Sequence, residues 1–434
     1  MILEKTYLPV INFIYDRIRG MSEKSRKAIL IICIVIEVLS TYIYQCDEFM
    51  GFMYTAGVGS FIGIICLTGI IIAGIDHKIE KIKVKKWLMY LLMLCGAIIF
   101  ISGIHHFITY SYMIMGLFMC FMMPAFLIVW CDRSDIDSLF RIIAWVLTVC
   151  FVAFVVLNCI FAPVSNPLFF VSGRYFGMAS DPNGLAKIAV TASICAIYMM
   201  IVKKGIMKLP FAVVFAAAFY LTIMTASRTN LIALALICIS AIVFLVKAHV
   251  LNKQYNVKKV AVIVCVILVV AGSVFAAASR SDEGSEAGII ETRLLQGVYE
   301  DGTINLDILS SGRTYIWKYC LSKTTFIGND MSEGLQGEGL SVDHVHNTVI
   351  ELLYRSGIVA GLSFLIIELY CAVWVIRMLL AGRKNTTSEI MASLLLIAFG
   401  IASLFDIVVL PFAKMTTFLF CICLAEVFAR KSAA

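Results

Sequence analysis

Three short polar islands in this chain carry side chains of the type and spacing that chemistry requires, and each stands at the start of a long apolar run. The first is Ser172-Gly-Arg-Tyr-Phe-Gly-Met-Ala-Ser-Asp-Pro-Asn-Gly184, which holds Arg174 and ends in the helix-capping residues Asp181 and Asn183. Lys187 follows one turn further on, on the same helix face as Asn183. The second is Ser227-Arg228-Thr229-Asn230, a tight turn whose only charge is Arg228. The third is His344-Val-His346-Asn347. A helix that begins at such an island presents free N–H groups and a positive dipole end, both of which favour an anion. Guanidinium forks match phosphate oxygens bidentately, so a diphosphate suits the three together. The alternative for Arg174 is an ordinary capped loop with the side chain snorkelling to the membrane interface.

His346 is the candidate general base, because a neutral imidazole beside a sugar hydroxyl can take its proton. Two other readings stand beside it: a solvated or capping histidine, and a metal site made with Asp343 and His344, which lacks further ligands at sensible spacing. No metal is therefore expected. Asp135-Ile-Asp137 reads as a solvated charge pair on an inner loop. Glu37 and Asp406 are carboxylates at membrane depth, and Lys414 is the partner that the sequence offers Asp406. There is no phosphate-cradling glycine loop or nucleotide-binding strand pattern, so neither a cofactor nor nucleic acid is expected.

The elements that must position these residues are membrane spans. Of the 434 residues, 61% are hydrophobic and 15% charged, against about 45–50% and about 25% in soluble domains. Twelve apolar runs are legible, at about 28–45, 51–74, 87–108, 112–131, 141–161, 184–202, 209–226, 229–246, 260–278, 352–376, 389–410 and 411–428. The tenth continues inward from an amphipathic approach, Asn347 to Arg355. Placing both termini in the cytoplasm puts 25 of the 35 Lys/Arg on inner segments, as the positive-inside rule requires. The fold class is thus an all-α polytopic membrane protein. Its expected parts are a cytoplasmic N-terminal segment (1–27, with an amphipathic helix over Leu8 to Ile18), spans one to nine (28–278), one large extracytoplasmic loop (279–346), spans ten to twelve (347–428) and a cytoplasmic tail (429–434). The loop has a formal balance of −6, and Gly312 to Lys323, with Arg313, Tyr315 and Trp317, reads as a short helix within it. Most of the 15 cysteines lie inside apolar runs and act as small hydrophobes. Only Cys46 and Cys320 fall outside, which allows one bridge at most.

Taken in order, several of these pieces resemble the O-antigen ligase and O-antigen polymerase superfamily of bacterial envelope enzymes. They are Arg174…Gly177…Asn183, Ser227-Arg228, Ser311-Gly312-Arg313 with Trp317, Phe326-Ile-Gly328, His346-Asn347, and Gly357 with Gly361. The resemblance runs from about Arg174 to Gly361. Asp330 departs from it, standing where the family more often has a second glycine. The resemblance implies a GT-C-like helical fold in the bacterial plasma membrane. It also implies transfer of glycan from undecaprenyl diphosphate to an acceptor on the extracytoplasmic side, without metal or nucleotide. Arg174 and Arg228 would hold the diphosphate and His346 would activate the hydroxyl, with Arg313, Lys187, Asn183, Asn347, Tyr315 and Trp317 as further substrate contacts. Tyr315 and Trp317 read equally well as an interfacial aromatic belt. A polymerase that joins lipid-linked repeat units is favoured over a ligase that moves finished glycan to another acceptor. Membrane lipid, a chain-length regulator and a flippase are the implied partners. The rival of another class is a flippase or transporter for the lipid-linked oligosaccharide, with Glu37 and Glu368 lining a mid-membrane cavity.

Overall fold

Apolar runs with no water to satisfy their backbone must close their hydrogen bonds internally, and here they do so as helices. The computed structural model describes residues 2–46, 58–105, 110–133, 135–252, 305, 310, 312–329, 344–406 and 415–429, and it is mostly helical (80%). The elements are α1 (Ile2–Ile18), α2 (Glu23–Gln45), α3 (Val58–Gly74), α4 (Lys86–His105), α5 (Tyr110–Leu117), α6 (Met123–Asp132) and α7 (Ile136–Phe161). A two-strand hairpin follows, β1 (Phe170–Val171) and β2 (Arg174–Tyr175), then α8 (Pro182–Val202), α9 (Leu209–Met224) and α10 (Arg228–Asn252). The last described elements are α11 (Arg313–Ser322), α12 (Thr348–Ser356), α13 (Ile358–Leu380), α14 (Thr387–Phe405) and α15 (Met415–Phe428). A π-helical turn, Phe118–Met122, joins α5 to α6.

Among the described residues, eight helical stretches are long and apolar enough to cross a membrane. They are α4, the α5–α6 pair, α7, α8, α9 with its short lead-in, α10, α13 and α14, and they match eight of the twelve expected runs. The chain is a multi-pass membrane protein. The expected ninth run, most of the large loop and residues 407–414 lie outside the described residues. The α11 helix forms where Gly312 to Lys323 predicts it. Cys46 and Cys320 are both free thiols.

Exposure supports a lipid surround. On α13, Leu362, Ile366, Leu369, Val373, Ile376 and Leu380 are all exposed and recur every three or four residues, which makes one outward apolar stripe. Water would penalise such a stripe, and lipid does not. The N-terminal segment differs from its expected form. Its helix begins at Ile2 rather than near Leu8, and Leu3, Tyr7 and Ile11 are buried against the bundle.

The bundle is built around α8, the most enclosed span, 78% buried. Ala186, Ala189, Ala192, Ser193 and Ala196 are buried along it. Small side chains of this kind let α7, α9, α10 and α14 approach its backbone closely. The second most enclosed single helix is α14 (67%).

The expected tenth run, 352–376, is two helices. Gly357, at φ 92° and ψ 170°, ends α12 and starts α13. The stretch 325–329 is stitched across this kink: the Asn329 N–H donates to the Tyr354 carbonyl at 3.0 Å and the Ile358 N–H to the Thr325 carbonyl at 3.1 Å. A Cβ on Gly328 would collide with the Arg355 carbonyl, and one on Gly357 with the Phe326 carbonyl. The two glycines thus allow the backbones to meet, and the contact ties the end of α11 to α12 and α13. Gly357→Ala is expected to lower stability by about 1–3 kcal/mol, read as an earlier midpoint of thermal unfolding in detergent. A similar loss is expected for Gly328→Ala.

Candidate functional site

Arg174 is presented by the hairpin. Ser172 (φ 51°) and Gly173 (φ 71°) form its tight turn, and two successive positive φ angles are the geometry whose twist suits a two-residue hairpin. The hairpin is anchored by buried Tyr175, whose hydroxyl donates to the Ala162 carbonyl at 2.5 Å. The loop beyond is tied to the end of α2 by the Ser180 N–H, which donates to the Gln45 carbonyl at 2.6 Å. Asp181 then caps α8, its side chain accepting from the Asn183 and Gly184 N–H groups. With both ends fixed, the Arg174 guanidinium donates from Nε to the Thr225 carbonyl at 2.8 Å and from Nη2 to Asn183 Oδ1 at 2.7 Å.

Those contacts bring together the first two sequence islands. Thr225 lies in the α9–α10 turn, three residues before Arg228, which is the first, half-buried residue of α10. Ser227 from the same turn donates to Asn183 Oδ1 at 3.0 Å, and Asn230 Nδ2 donates to Ser227 Oγ at 2.9 Å. The starts of α8 and α10 are thereby side by side, with Arg174 between them.

The third island joins through the end of α14. The last carbonyls of a helix have no partner within it. Here three in succession are satisfied from the site: Leu404 accepts from Asn347 Nδ2 at 3.0 Å, Phe405 from Arg313 Nη1 at 2.5 Å, and Asp406 from Thr348 Oγ1 at 2.9 Å. Asn347 also caps α12, its Oδ1 accepting from the Ile350 N–H at 2.9 Å. The Asp406 carboxylate forms an ion pair with Lys187, the residue one turn beyond Asn183 on α8. Lys187 is therefore its partner in this structure; Lys414, the partner expected from sequence, lies outside the described residues. Lys187 also borders two narrow crevices, which it shares with Thr191 and Thr416.

His346 stands at the junction, half-buried and at φ 55°. Burial lowers its imidazole pKa below the ordinary value, and the positive charge of Arg313 lowers it further. The ring is therefore neutral at pH 7, as a proton acceptor must be.

Trp317 spends its indole N–H on the Val345 carbonyl, at 2.9 Å, and its ring lies 6.3 Å from that of Phe405. Tyr315, on the same short helix, faces outward and is 52% exposed. Of the nine candidate residues, Arg174, Asn183 and Arg228 gather at the starts of α8 and α10. Lys187, Arg313, Trp317, His346 and Asn347 gather around the end of α14. The first turns of α8, from Asn183 to Lys187, link the two groups, and Tyr315 faces outward. Asp343 lies outside the described residues.

Sequence reasoning missed several members of the cluster: Thr225, Thr348, Glu351 and the Lys187–Asp406 pair. Glu351 and Arg355 could have been noticed as an i, i+4 ion pair in an otherwise apolar segment. Nothing local points from Lys187 to Asp406, which is 219 residues away.

No protein-family model matches the chain, and no curated protein matches it. The geometry alone describes the site: four basic side chains (Arg174, Arg228, Arg313 and Lys187), three helix starts and one neutral imidazole, gathered at one end of the bundle. An anionic group with a hydroxyl beside it fits this arrangement.

Lys187 and Asp406 are only 19% and 27% exposed, so removing either leaves a poorly hydrated charge. Lys187→Met and Asp406→Asn are each expected to destabilise. In a double-mutant cycle the pair should show a coupling of about 1–2 kcal/mol, measured by thermal unfolding of the four proteins.

Proposed function

We propose that this protein is a metal-independent membrane glycosyltransferase of the kind its motifs resemble, a polysaccharide polymerase acting on undecaprenyl-diphosphate-linked repeat units. One observation carries the reading: Arg174 bonds to the turn that bears Arg228, at the start of two helices, while neutral His346 sits beside Arg313 at the start of a third. In this reading the site faces the extracytoplasmic side of the bacterial plasma membrane. Arg174 and Arg228, with the helix starts, hold the donor diphosphate, and Arg313 lies close to His346.

The acceptor hydroxyl oxygen attacks the anomeric carbon of the donor glycan while His346 takes its proton. The bond between that carbon and the diphosphate oxygen breaks, and undecaprenyl diphosphate leaves with the electron pair. The glycosyl–diphosphate bond already holds the needed energy, so stabilising the departing charge is the main task of the protein. Guanidinium groups oriented before the reaction begins do this with little reorganisation.

Purified protein incubated with lipid-linked repeat units is expected to build a ladder of longer glycans. Transfer only to a foreign acceptor would favour the ligase reading. His346→Ala should abolish growth while leaving export of the lipid-linked unit intact; loss of export instead would favour the flippase. Arg174→Ala and Arg228→Ala should each lower transfer by about 100-fold or more. The sign of the pH dependence follows from the lowered imidazole pKa. Transfer stays level through pH 7 and falls only as His346 protonates, below the ordinary histidine value near 6.5.

A further inference from the structure

The backbone of Val345, immediately ahead of His346, is gripped through the peptide units on both its sides. The Val345 N–H donates to Glu351 Oε2 at 2.8 Å, and the Val345 carbonyl accepts from the Trp317 indole N–H at 2.9 Å. Val345 is fully buried, so neither peptide group has water as an alternative partner. His346, the next residue, adopts φ 55°. Residues with a Cβ are uncommon in that region, although histidine, asparagine and aspartate enter it more readily than the rest.

Glu351 is itself fully buried in α12, and that helix already has its cap in Asn347. Three groups hold the carboxylate. The Tyr112 hydroxyl of α5 donates to Oε1 at 3.0 Å, Arg355 forms an ion pair one turn along, and His344 Nδ1 lies within 3.7 Å. Arg355 is braced in turn, its carbonyl accepting from Ser102 of α4 at 3.0 Å. An apolar side chain would fill this space without burying a charge. What an apolar residue could not do is accept the Val345 N–H.

We propose that Glu351, with Trp317 as the opposing jaw, is a positioning residue that sets the His346 imidazole against the reacting hydroxyl by fixing the Val345 backbone on both sides. This inference rests on the reading of His346 as the general base. A base works only within hydrogen-bond reach of the proton it takes. A displacement of about 1 Å in a catalytic group costs on the order of 100-fold in rate.

The test uses the full chain in nanodiscs with lipid-linked repeat units as substrate, and compares Glu351→Ala, Glu351→Gln, Trp317→Phe and His346→Ala. Trp317→Phe opens one jaw without stranding a charge, so it covers the case in which Glu351→Ala leaves Arg355 unpaired and the chain misfolds. Glu351→Ala and Trp317→Phe are each expected to lower kcat by about 10- to 100-fold, with KM for the donor changed by less than about threefold. Glu351→Gln still offers an oxygen to the Val345 N–H and should recover most of kcat. Loosening the clamp also lets water reach the imidazole, which sits among Arg313, Asp406, His344 and Glu351. The acid limb of kcat/KM should then move to higher pH in Trp317→Phe. Less folded protein with an unchanged kcat and an unmoved acid limb would overturn the proposal. A dead His346→Ala beside wild-type kcat in Trp317→Phe and Glu351→Ala would overturn the clamp alone. An active His346→Ala would remove the base, and the clamp proposal with it.

Discussion

The carbonyls of Leu404 and Phe405 at the end of α14, and of Asp406 just beyond it, are the constraint on which this architecture depends. They end a largely buried helix, where the cost of an unpaired acceptor is about 1–3 kcal/mol. Asn347, Arg313 and Thr348 each satisfy one of them. In doing so they draw the start of α12 and the short helix α11 onto the end of α14. The Asp406 carboxylate then reaches Lys187 on α8. One ordinary requirement, that helix ends be capped, thereby gathers residues from four separate parts of the chain.

Charge is distributed at this end with some economy. Two of the Arg174 hydrogen bonds go to neutral oxygens, those of Thr225 and Asn183, which orient the guanidinium without cancelling its charge. Lys187 is instead matched to Asp406. Arg355 is matched to Glu351, so two of the acidic groups here have particular lysine or arginine partners, while Asp181 is taken up by the N–H groups it caps. The imidazole between these two pairs is desolvated and lies near Arg313, and both effects favour its neutral form.

Much of the scaffold was legible because its signals are local. Eight of the twelve apolar runs are helices of spanning length, Asp181 caps the helix it precedes, and Gly312 to Lys323 is helical. Asn183, expected as a second cap, lies inside the first turn of α8, and its Oδ1 accepts from Arg174 and Ser227 instead. The exception at 352–376 is instructive. The polar Tyr-Arg-Ser-Gly stretch at 354–357 interrupts the run, but a local pattern reads it as the amphipathic approach passing into the span, not as two helices meeting at an angle. The break exists because the 325–329 stretch lies against it, and only a residue without a Cβ tolerates that approach. The start of α1 was misplaced for a related reason: Leu3 and Tyr7 are buried by contacts with the bundle that a local pattern does not contain.

The sequence by itself determined the membrane character of the chain, the cap at Asp181 and the short list of residues worth watching. Each of these follows from composition or from neighbours within a few residues. Tertiary structure alone decided which of those residues meet. Arg174 finds the Arg228 turn 51 residues away, Lys187 finds Asp406, and Trp317 turns its N–H to a peptide instead of the open surface. The reason is that spanning helices are stiff and independently stable along their length. What relates one to another is side-chain packing and the capping of their ends, and that information is spread over residues far apart in the chain.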